Sequence, residues 1–532
     1  MKYTKFLPIC ILLIVSACEA QSVNPSAPIS PTVSIIHLND TYRVGDVEEG
    51  RRGGYGRVAT LVRRLQSQGN IVHITHGGDF LYPSLESQLW NGEQMIEALN
   101  FLNTLAPVYL VPGNHEFDRR TPAAVVNAVR KSEFKWLGDN LSFHTGNADV
   151  DSIIEDSFMF SAGGKKIGVF ALTLLIRDGG NDRDYAQVAG EYLDVAEATI
   201  QQLEGAGADL IFGLTHLYLE DDIALAALKK RHPSLMFIVG GHDHEPEFEE
   251  GTDATAAIMK GASNARTIWQ IDITFDGDIP SISTHKIAVD DGISKDAEYQ
   301  VIADKWRNRL LKRIPFLSSP VGAAALPLDG REATLRNVES NWANFIVDQM
   351  PGAFGEPAAD FAFINSGTLR IDDFVADDIT FEDIGRTFGF SSHLSHMTIN
   401  GGDFVTLLEA GYRGYGPSKG YFPQISGFRV CIDRSQADGQ RIVQMQVPVD
   451  EGWQDIDRGK DYTLVASDFI YRGGDGYDFS RARDVSKPGS ELKYLVLDAI
   501  LVAQAKGEKI GEAVDPENPR ISMLPVGEDS CF

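Results

Sequence analysis

Between residue 33 and about residue 290, short apolar runs alternate with amphipathic helical patterns, and no other feature of the chain restricts its fold so tightly. VSIIHL (33–38), IVHIT (71–75), VYLV (108–111), KIGVFAL (166–172), ADLIFGL (208–214) and LMFIVG (235–240) have strand length and are nearly continuously apolar, as strands covered on both faces are. Between them, GRVATLVRRLQSQ (56–68), GEQMIEALNFL (92–102), TPAAVVNAVRK (121–131), DVAEATIQQLEG (194–205) and LEDDIALAALKKR (219–231) place apolar residues three and four apart, the helical period. This alternation predicts an α/β domain of layered sheet and helices.

The residues just beyond the strands carry the chemistry. The runs end in Asn39-Asp40, in His76-Gly77-Gly78-Asp79, in Pro112-Gly113-Asn114-His115-Glu116, in Thr215-His216 and in Gly241-His242-Asp243-His244. In an open α/β sheet the carboxyl ends of the strands border one crevice, so residues far apart in sequence can meet there. Two carboxylates, an amide oxygen and several imidazoles make a mixed oxygen and nitrogen donor set suited to divalent or trivalent transition metals. A lone Asp or Asn after a strand is commonly a turn former or a helix cap. Five strand ends of this kind in one chain argue for a shared site instead.

The 532 residues are 43% hydrophobic and 23% charged, so the chain folds, with room for about two to four domains at roughly 100–200 residues each. Seventy-five acidic against 48 basic side chains give a net charge of -27, which repels nucleic-acid polymers and anionic lipid surfaces at long range. A small anionic substrate is still allowed where local cations override the global field. Residues 1–17 read as a secretory signal: Lys2 and Lys5, an apolar run over 6–15, then Ser16-Ala17. Val15-Ser16-Ala17-Cys18 resembles the bacterial lipoprotein signal, which makes Cys18 a lipid-anchor site at a periplasmic or cell-surface membrane. The Ser- and Pro-containing stretch over 18–32 suits a flexible tether. A charged helical pattern followed by a Pro/Gly/Ala-rich stretch sets a boundary at 294–320, between a first domain over 33–293 and an α+β domain over 321–532. In the latter, helices are expected at 342–350, 402–411 and 491–505. Four cysteines are too few for a disulfide scaffold, and the sequence leaves the pairing of Cys431 with Cys531 open.

Asn39-Asp40, Gly77-Gly78-Asp79, Gly113-Asn114-His115-Glu116-Phe117-Asp118, Thr215-His216 and Gly241-His242-Asp243-His244 together resemble the calcineurin-like metallophosphoesterases, and specifically the secreted 5'-nucleotidase family. The resemblance implies a calcineurin-like layered sheet domain holding two divalent or mixed-valence metal ions, with Zn, Mn and Fe all open. Asp79 would bridge them, with Asp40 and His244 on one ion and Asn114, His216 and His242 on the other. It implies in-line attack of an activated water on phosphorus. His115 and Asp118 would act as a catalytic dyad, stabilising the phosphoryl oxygens or protonating the leaving group. One departure stands out: the family pattern is Asp-x-His at the first strand end, and Asp40-Thr41-Tyr42 puts tyrosine there. Gly78-Asp79-Phe80-Leu81-Tyr82 also fits the spacing by which the related purple acid phosphatases supply a tyrosinate to iron, so either Tyr82 or Tyr42 is expected to complete the site, Tyr82 first. The alternative is that both tyrosines only pack.

Three pieces of the second half resemble the nucleotide-binding domain of the same family: Asn365-Ser366-Gly367-Thr368-Leu369-Arg370, the Gly-flanked Tyr421-Phe422, and Ser467-Asp468-Phe469 with Gly473-Gly474-Asp475-Gly476. By that resemblance Phe422 and Phe469 sandwich the base, a stacking worth about 1–3 kcal/mol. Asp475 accepts the ribose hydroxyls, Asn365 and Arg370 contact base and anion, and Arg336 is a second phosphate-side arginine whose planar fork suits phosphate oxygens. The expected activity is release of phosphate from nucleoside monophosphates outside the cytoplasm. A 2',3'-cyclic phosphodiesterase with 3'-nucleotidase action, a UDP-sugar hydrolase, and a surface-anchored binding protein with a decayed metal site are the alternatives.

Overall fold

The computed structural model describes residues 32–532 apart from 156, 175–182, 276–279, 415–418, 526 and 529. The signal, Cys18 and nearly all of the tether lie outside the described residues. Among the described residues, no helix is long and apolar enough to cross a membrane.

The first half is built on two six-stranded sheets, where the sequence suggested one crevice along a single open sheet. The first runs in the order Ser281–Ala288, Thr267–Thr274, Val33–Leu38, Ile71–His76, Val108–Leu110, Lys135–Trp136. The second runs Glu247–Glu249, Ala257–Lys260, Leu235–Gly240, Leu210–His216, Lys165–Thr173, Phe158–Ala162. Their inner faces meet in a core of Val33, Ile35, Val111 and Ile271 against Val169, Phe212 and Phe237. Outside, the helices Tyr55–Ser67, Glu93–Leu105 and Ala123–Lys131 cover the first sheet, while Tyr192–Gly205 and Leu219–Ala226 cover the second. The continuously apolar strands are thus buried on both faces, one against helices and one against the partner sheet.

The central strands of both sheets are parallel: Val33–Leu38 pairs with Ile71–His76 in register from Val33 opposite Ile71, and Leu235–Gly240 pairs with Leu210–His216. Their carboxyl ends come to one edge because the sheets are tied there. The buried His37 accepts from Thr75 Oγ1 (3.0 Å) at Nδ1 and donates from Nε2 to the Gly240 carbonyl of the other sheet (3.0 Å).

The helix expected at the boundary is Ala297–Arg313, and it packs onto the first half as part of its outer layer. Asp296 caps it by accepting from the Glu298 and Tyr299 N–H groups (3.0 Å each), Tyr299 meets Tyr55 (6.2 Å), and Trp306 meets Trp90 (5.4 Å). The second half begins with Pro320–Ala323, antiparallel to Asp378–Thr380. It contains a four-stranded sheet ordered Leu394–Asn400, Asp461–Ser467, Phe361–Asn365, Pro423–Ser426, and another ordered Gly452–Asp455, Ile442–Val449, Arg429–Ile432, Ile521–Met523. The helices Asn341–Val347, Gly401–Glu409 and Leu492–Lys506 lie near the expected positions. Cys431 and Cys531 form a disulfide that ties the C-terminus to the second of these sheets.

Candidate metal and substrate site

Six strand-end side chains converge where the two sheets meet. Side-chain donor atoms of Asp40, Asp79 and His216 all lie within 4.8 Å of one another, and all three residues are buried. His216 Nε2 stands 3.3 Å from Asp79 Oδ2 and 3.3 Å from Asn114 Oδ1. On the other side of Asp79, His244 Nε2 is 3.2 Å from Asp40 Oδ1. The His242 N–H donates to Asp40 Oδ2 (2.9 Å), and its ring lies edge-on to His216 (5.2 Å between centroids) and borders the same cavity. Close approach of the loops requires glycine: a Cβ on Gly113 would fall 2.2 Å from Asp79 Oδ1, and one on Gly241 2.2 Å from the Gly77 carbonyl oxygen. Asp40, Asp79 and His242 themselves have positive φ (51°, 59° and 75°), a strained conformation of the kind that concentrates at functional sites.

The charges of this cluster call for a cation. His216 Nδ1 donates to the Gly77 carbonyl (2.5 Å), which fixes the tautomer and turns the Nε2 lone pair toward a carboxylate oxygen and an amide oxygen. With the ring neutral three acceptors would face one another, so in the absence of a cation a proton must sit on Nε2. Burial opposes a charge on His216, but Asp79 and Asp40 outweigh it and push its pKa up to about 9. Burial and the neighbouring His216 instead push His242 down to about 3, so that it stays neutral, as a ligand must be. The donor set and its electrostatics therefore fit divalent metal.

Tyr42 occupies the place of the missing histidine. Its hydroxyl lies 3.0 Å from His244 Nε2, 3.3 Å from Asp40 Oδ1 and 3.4 Å from Asp79 Oδ2. Tyr82, the first choice from sequence, points elsewhere: its hydroxyl donates to Asn91 Oδ1 (2.8 Å) and its ring lies under the Arg119 guanidinium (4.6 Å). The fixed spacing from Asp79 is present, but the loop turns Tyr82 away from the cluster.

His115 and Asp118 form the expected pair, with Nδ1 3.0 Å from Asp118 Oδ2. The His115 backbone N–H donates to Asp79 Oδ1 (2.8 Å), so the dyad is anchored to the cluster. Its Nε2 accepts from Arg370 Nη2 (3.0 Å), a residue of the second half. That contact opens into a cavity of about 310 Å3 lined by Asp79, Asn114, His115, His242 and His244 from the first half and by Arg336, Asn365, Arg370, Phe469 and Asp475 from the second. Arg336 Nε and Arg370 Nη1 are buried and make no hydrogen bond among the described residues. Such orphaned guanidinium donors are ready for an anion. Asp475 accepts from Asn365 Nδ2 (2.7 Å), whose own Oδ1 accepts from Thr368 Oγ1 (2.7 Å).

Phe422 departs from the expectation. It is buried with its ring edge-on to Tyr412 (5.6 Å) and lines, with Tyr421, Arg336 and Lys419, an adjoining cavity; the cavity of the metal-type cluster is bordered by Tyr421 and Phe469 instead. The Phe422 carbonyl accepts from Ser366 N–H (2.8 Å) and its own N–H donates to the Lys419 carbonyl (3.0 Å), so a turn over 419–422, just before Pro423–Ser426, sets where the two aromatics lie.

Other participants carry weaker sequence signals. Glu116, inside the GNHEFD motif, is fully buried and accepts four backbone N–H groups: those of Asp79 (2.9 Å), Phe80 (2.7 Å), Leu81 (3.1 Å) and Gly113 (2.5 Å). It joins the Asp79 loop to the Asn114 loop. Glu332, from the second half, holds His244, and no local pattern marks it. Lys260, at 0% exposure, donates to the Leu217 carbonyl (2.6 Å) and pairs with Asp243 (2.8 Å) and Asp222 (2.9 Å) beneath the His242-Asp243-His244 loop.

Comparison with known proteins matches this architecture. Residues 33–246 match the calcineurin-like phosphoesterase family and residues 320–481 the 5'-nucleotidase C-terminal domain. The chain is 24% identical over 530 residues to a trifunctional nucleotide phosphoesterase of Bacillus subtilis; the match covers 91% of this chain and spans about a third (34%) of that longer protein. It is 23% identical to a mouse 5'-nucleotidase, with 88% of this chain and 87% of the relative covered. Among solved structures, a 5'-nucleotidase precursor from Thermus thermophilus superposes with a TM-score of 0.78 at 21% identity over 93% of this chain and 99% of that one, a likeness of fold. The two family matches run through most of the chain in the order that the structure lays out, and the chain belongs to the calcineurin-like phosphoesterases that carry a 5'-nucleotidase C-terminal domain.

Proposed function

We propose that this metal-dependent phosphoester hydrolase releases phosphate from nucleoside 5'-monophosphates, with the phosphate at the Asp40–His244 cluster and the nucleoside against the second half. The observation that carries this reading is the single cavity in which the metal-type cluster, two arginines with unpartnered donors, an aromatic ring and a carboxylate meet. In this reading two ions are held, one by Asp79, Asn114, His216 and His242 and the other by Asp40, Asp79, His244 and the Tyr42 oxygen. When bound, such ions polarise phosphoryl oxygens and lower the pKa of water. Arg336 and Arg370 orient the phosphate, and His115, its Nδ1–H on Asp118, exchanges the leaving-group proton at Nε2. Phe469, with Tyr421, offers the base a face, and Asp475 accepts from the ribose.

A hard phenol oxygen at Tyr42 favours iron or manganese over zinc. Iron-loaded protein should then show a visible charge-transfer band that Tyr42→Phe removes; a colourless iron-loaded wild type would refute this assignment. The reading also takes 1–17 as a signal, Cys18 as lipidated and 18–32 as a tether, with domains over 33–293 and 321–532 joined through 294–320. Palmitate labelling abolished by Cys18→Ala tests the anchor.

The substrate reading is tested by comparing AMP with p-nitrophenyl phosphate, which lacks ribose and adenine. Phe469→Ala and Asp475→Ala should raise KM for AMP at least tenfold and leave p-nitrophenyl phosphate hydrolysis within twofold. Equal effects on the two substrates would remove the nucleoside from this side of the cavity.

A further inference from the structure

The two halves of the metal cluster are oriented from different sources. His216 points its Nε2 inward because Nδ1 donates to Gly77, a carbonyl of its own domain. His244 has no such partner in the first half. Its Nδ1 donates to Glu332 Oε2 of the second half at 2.6 Å, with both side chains almost wholly buried (3% and 2% exposed). Ser263 Oγ donates to the same oxygen (2.7 Å), and Arg336 Nη2 donates to the other (3.2 Å). Glu332 is fixed in turn: its N–H donates to Asp372 Oδ1 (3.1 Å), whose Oδ2 accepts from Asn264 Nδ2 (3.0 Å). Asn264 Oδ1 closes the circuit by accepting the Tyr42 N–H (3.1 Å). A separate contact grips the same loop, since Lys419 of the second half donates to Asp243 Oδ1 (2.5 Å), between His242 and His244.

We propose that Glu332 is a positioning residue for the metal centre: from the nucleotide-side half it fixes the tautomer and aim of His244, so that one ion position is complete only when the two halves are docked. The inference rests on His244 being a metal ligand. The chemistry is that of a carboxylate behind a metal-binding imidazole, where loss of the outer partner costs about 10–100-fold in metal affinity. The asymmetry makes it specific. The position formed by Asp79, Asn114, His216 and His242 draws all its ligands, and the carbonyl behind His216, from the first half, whereas the position at Asp40 and His244 depends on a side chain from across the interface.

The test is manganese retention by the full chain against graded chelator, counted as equivalents per protein. Wild type should hold two equivalents. Glu332→Gln, nearly the same size, has one acceptor oxygen where His244 with Ser263 and Arg336 use two, and it takes the negative charge from behind the imidazole; it should release one equivalent at roughly 10–100-fold weaker chelation and keep the other at the wild-type level. A purely structural role would loosen both ions or neither. In a His244→Gln background, which removes the imidazole that Glu332 orients, Glu332→Gln should add no further loss. Lys419→Met, which cuts the other cross-domain contact on the loop, serves as the control for general loosening and should shift retention less than Glu332→Gln. Retention curves that superimpose for Glu332→Gln and wild type, or losses that add in the double variant, would overturn the proposal. A wild type that binds no manganese would instead overturn the metal reading beneath it.

Discussion

Glu116→Gln is the sharpest perturbation of the scaffold under the site, because it changes one atom in a residue that touches neither substrate nor a ligand side chain. The Glu116 carboxylate accepts two N–H groups on each oxygen, Phe80 and Leu81 on Oε1 and Asp79 and Gly113 on Oε2. Replacing one oxygen with an amide NH2 keeps two of these bonds and sets a donor against the other two N–H groups. A hydrogen bond to a charged group contributes about 1.5–3 kcal/mol, so losing two costs about 3–6 kcal/mol. That is a large share of the roughly 5–15 kcal/mol that stabilises a typical domain. The assay is scanning calorimetry of the full chain at pH 8, above the value of about 7 to which burial and Asp79 push the Glu116 carboxyl, with and without saturating manganese. The transition of the first half should fall by several degrees, and manganese should restore less of it than in wild type, since the Asp79 and Asn114 loops no longer share a clamp. A first transition within about 1 °C of wild type, with an unchanged manganese shift, would refute the reasoning.

Three further outcomes are expected. His115→Ala should cut turnover of AMP by about 10²–10⁴-fold while both metal equivalents remain, as read by steady-state kinetics alongside metal analysis; unchanged turnover would remove His115 from the chemistry. The buried His73, stacked on Tyr109 (5.7 Å) and tilted against Phe160 (4.3 Å) with Nε2 unpaired, has its pKa pushed down to about 4 by burial. The unfolded chain therefore takes up a proton that the folded one refuses, so this stability is fully present above about pH 6.5 and is lost as pH falls toward 4, to the extent of about 3 kcal/mol. His73→Phe should flatten the fall in unfolding midpoint across that window, and an unaltered slope would contradict the assignment. The Cys431–Cys531 disulfide closes a sequence separation of 100, for which the chain-entropy model gives about 4–5 kcal/mol. Its removal by Cys431→Ser should lower the denaturant midpoint of the second half, and an identical midpoint would refute that contribution.

The features legible in the sequence are those within a few residues of a strong period. The central parallel strands show as apolar runs with the metal-type residues directly after them, so Asp40, Asp79, Asn114, His216, His242 and His244 were visible as one group before any geometry. The pairing of two sheets was not, because strands such as Thr267–Thr274, which extends the first sheet beside Val33–Leu38, read only as ordinary half-covered strands. Tyr82 satisfied a spacing rule and still faces Asn91, since spacing fixes how far a side chain is from Asp79 along the chain but not where the loop turns. Phe422 and Tyr421 differ by one residue, and the turn over 419–422 brings only Tyr421 to the cavity of the metal-type cluster, a placement that no periodicity in the sequence marks. Glu332 lies 88 residues from His244, in a different half, and nothing in its neighbourhood announces a metal ligand's partner.

The central claim is that one cavity joins a metal-dependent phosphoester centre to a nucleoside site. Residues 19–532, loaded with quantified metal, should be assayed for phosphate release from AMP, 3'-AMP, 2',3'-cyclic AMP and UDP-glucose. AMP should be the best substrate, chelation should abolish the activity and added metal should restore it. Protein that holds two metal equivalents yet releases no phosphate from AMP, or that prefers the cyclic or sugar nucleotide, would contradict the claim.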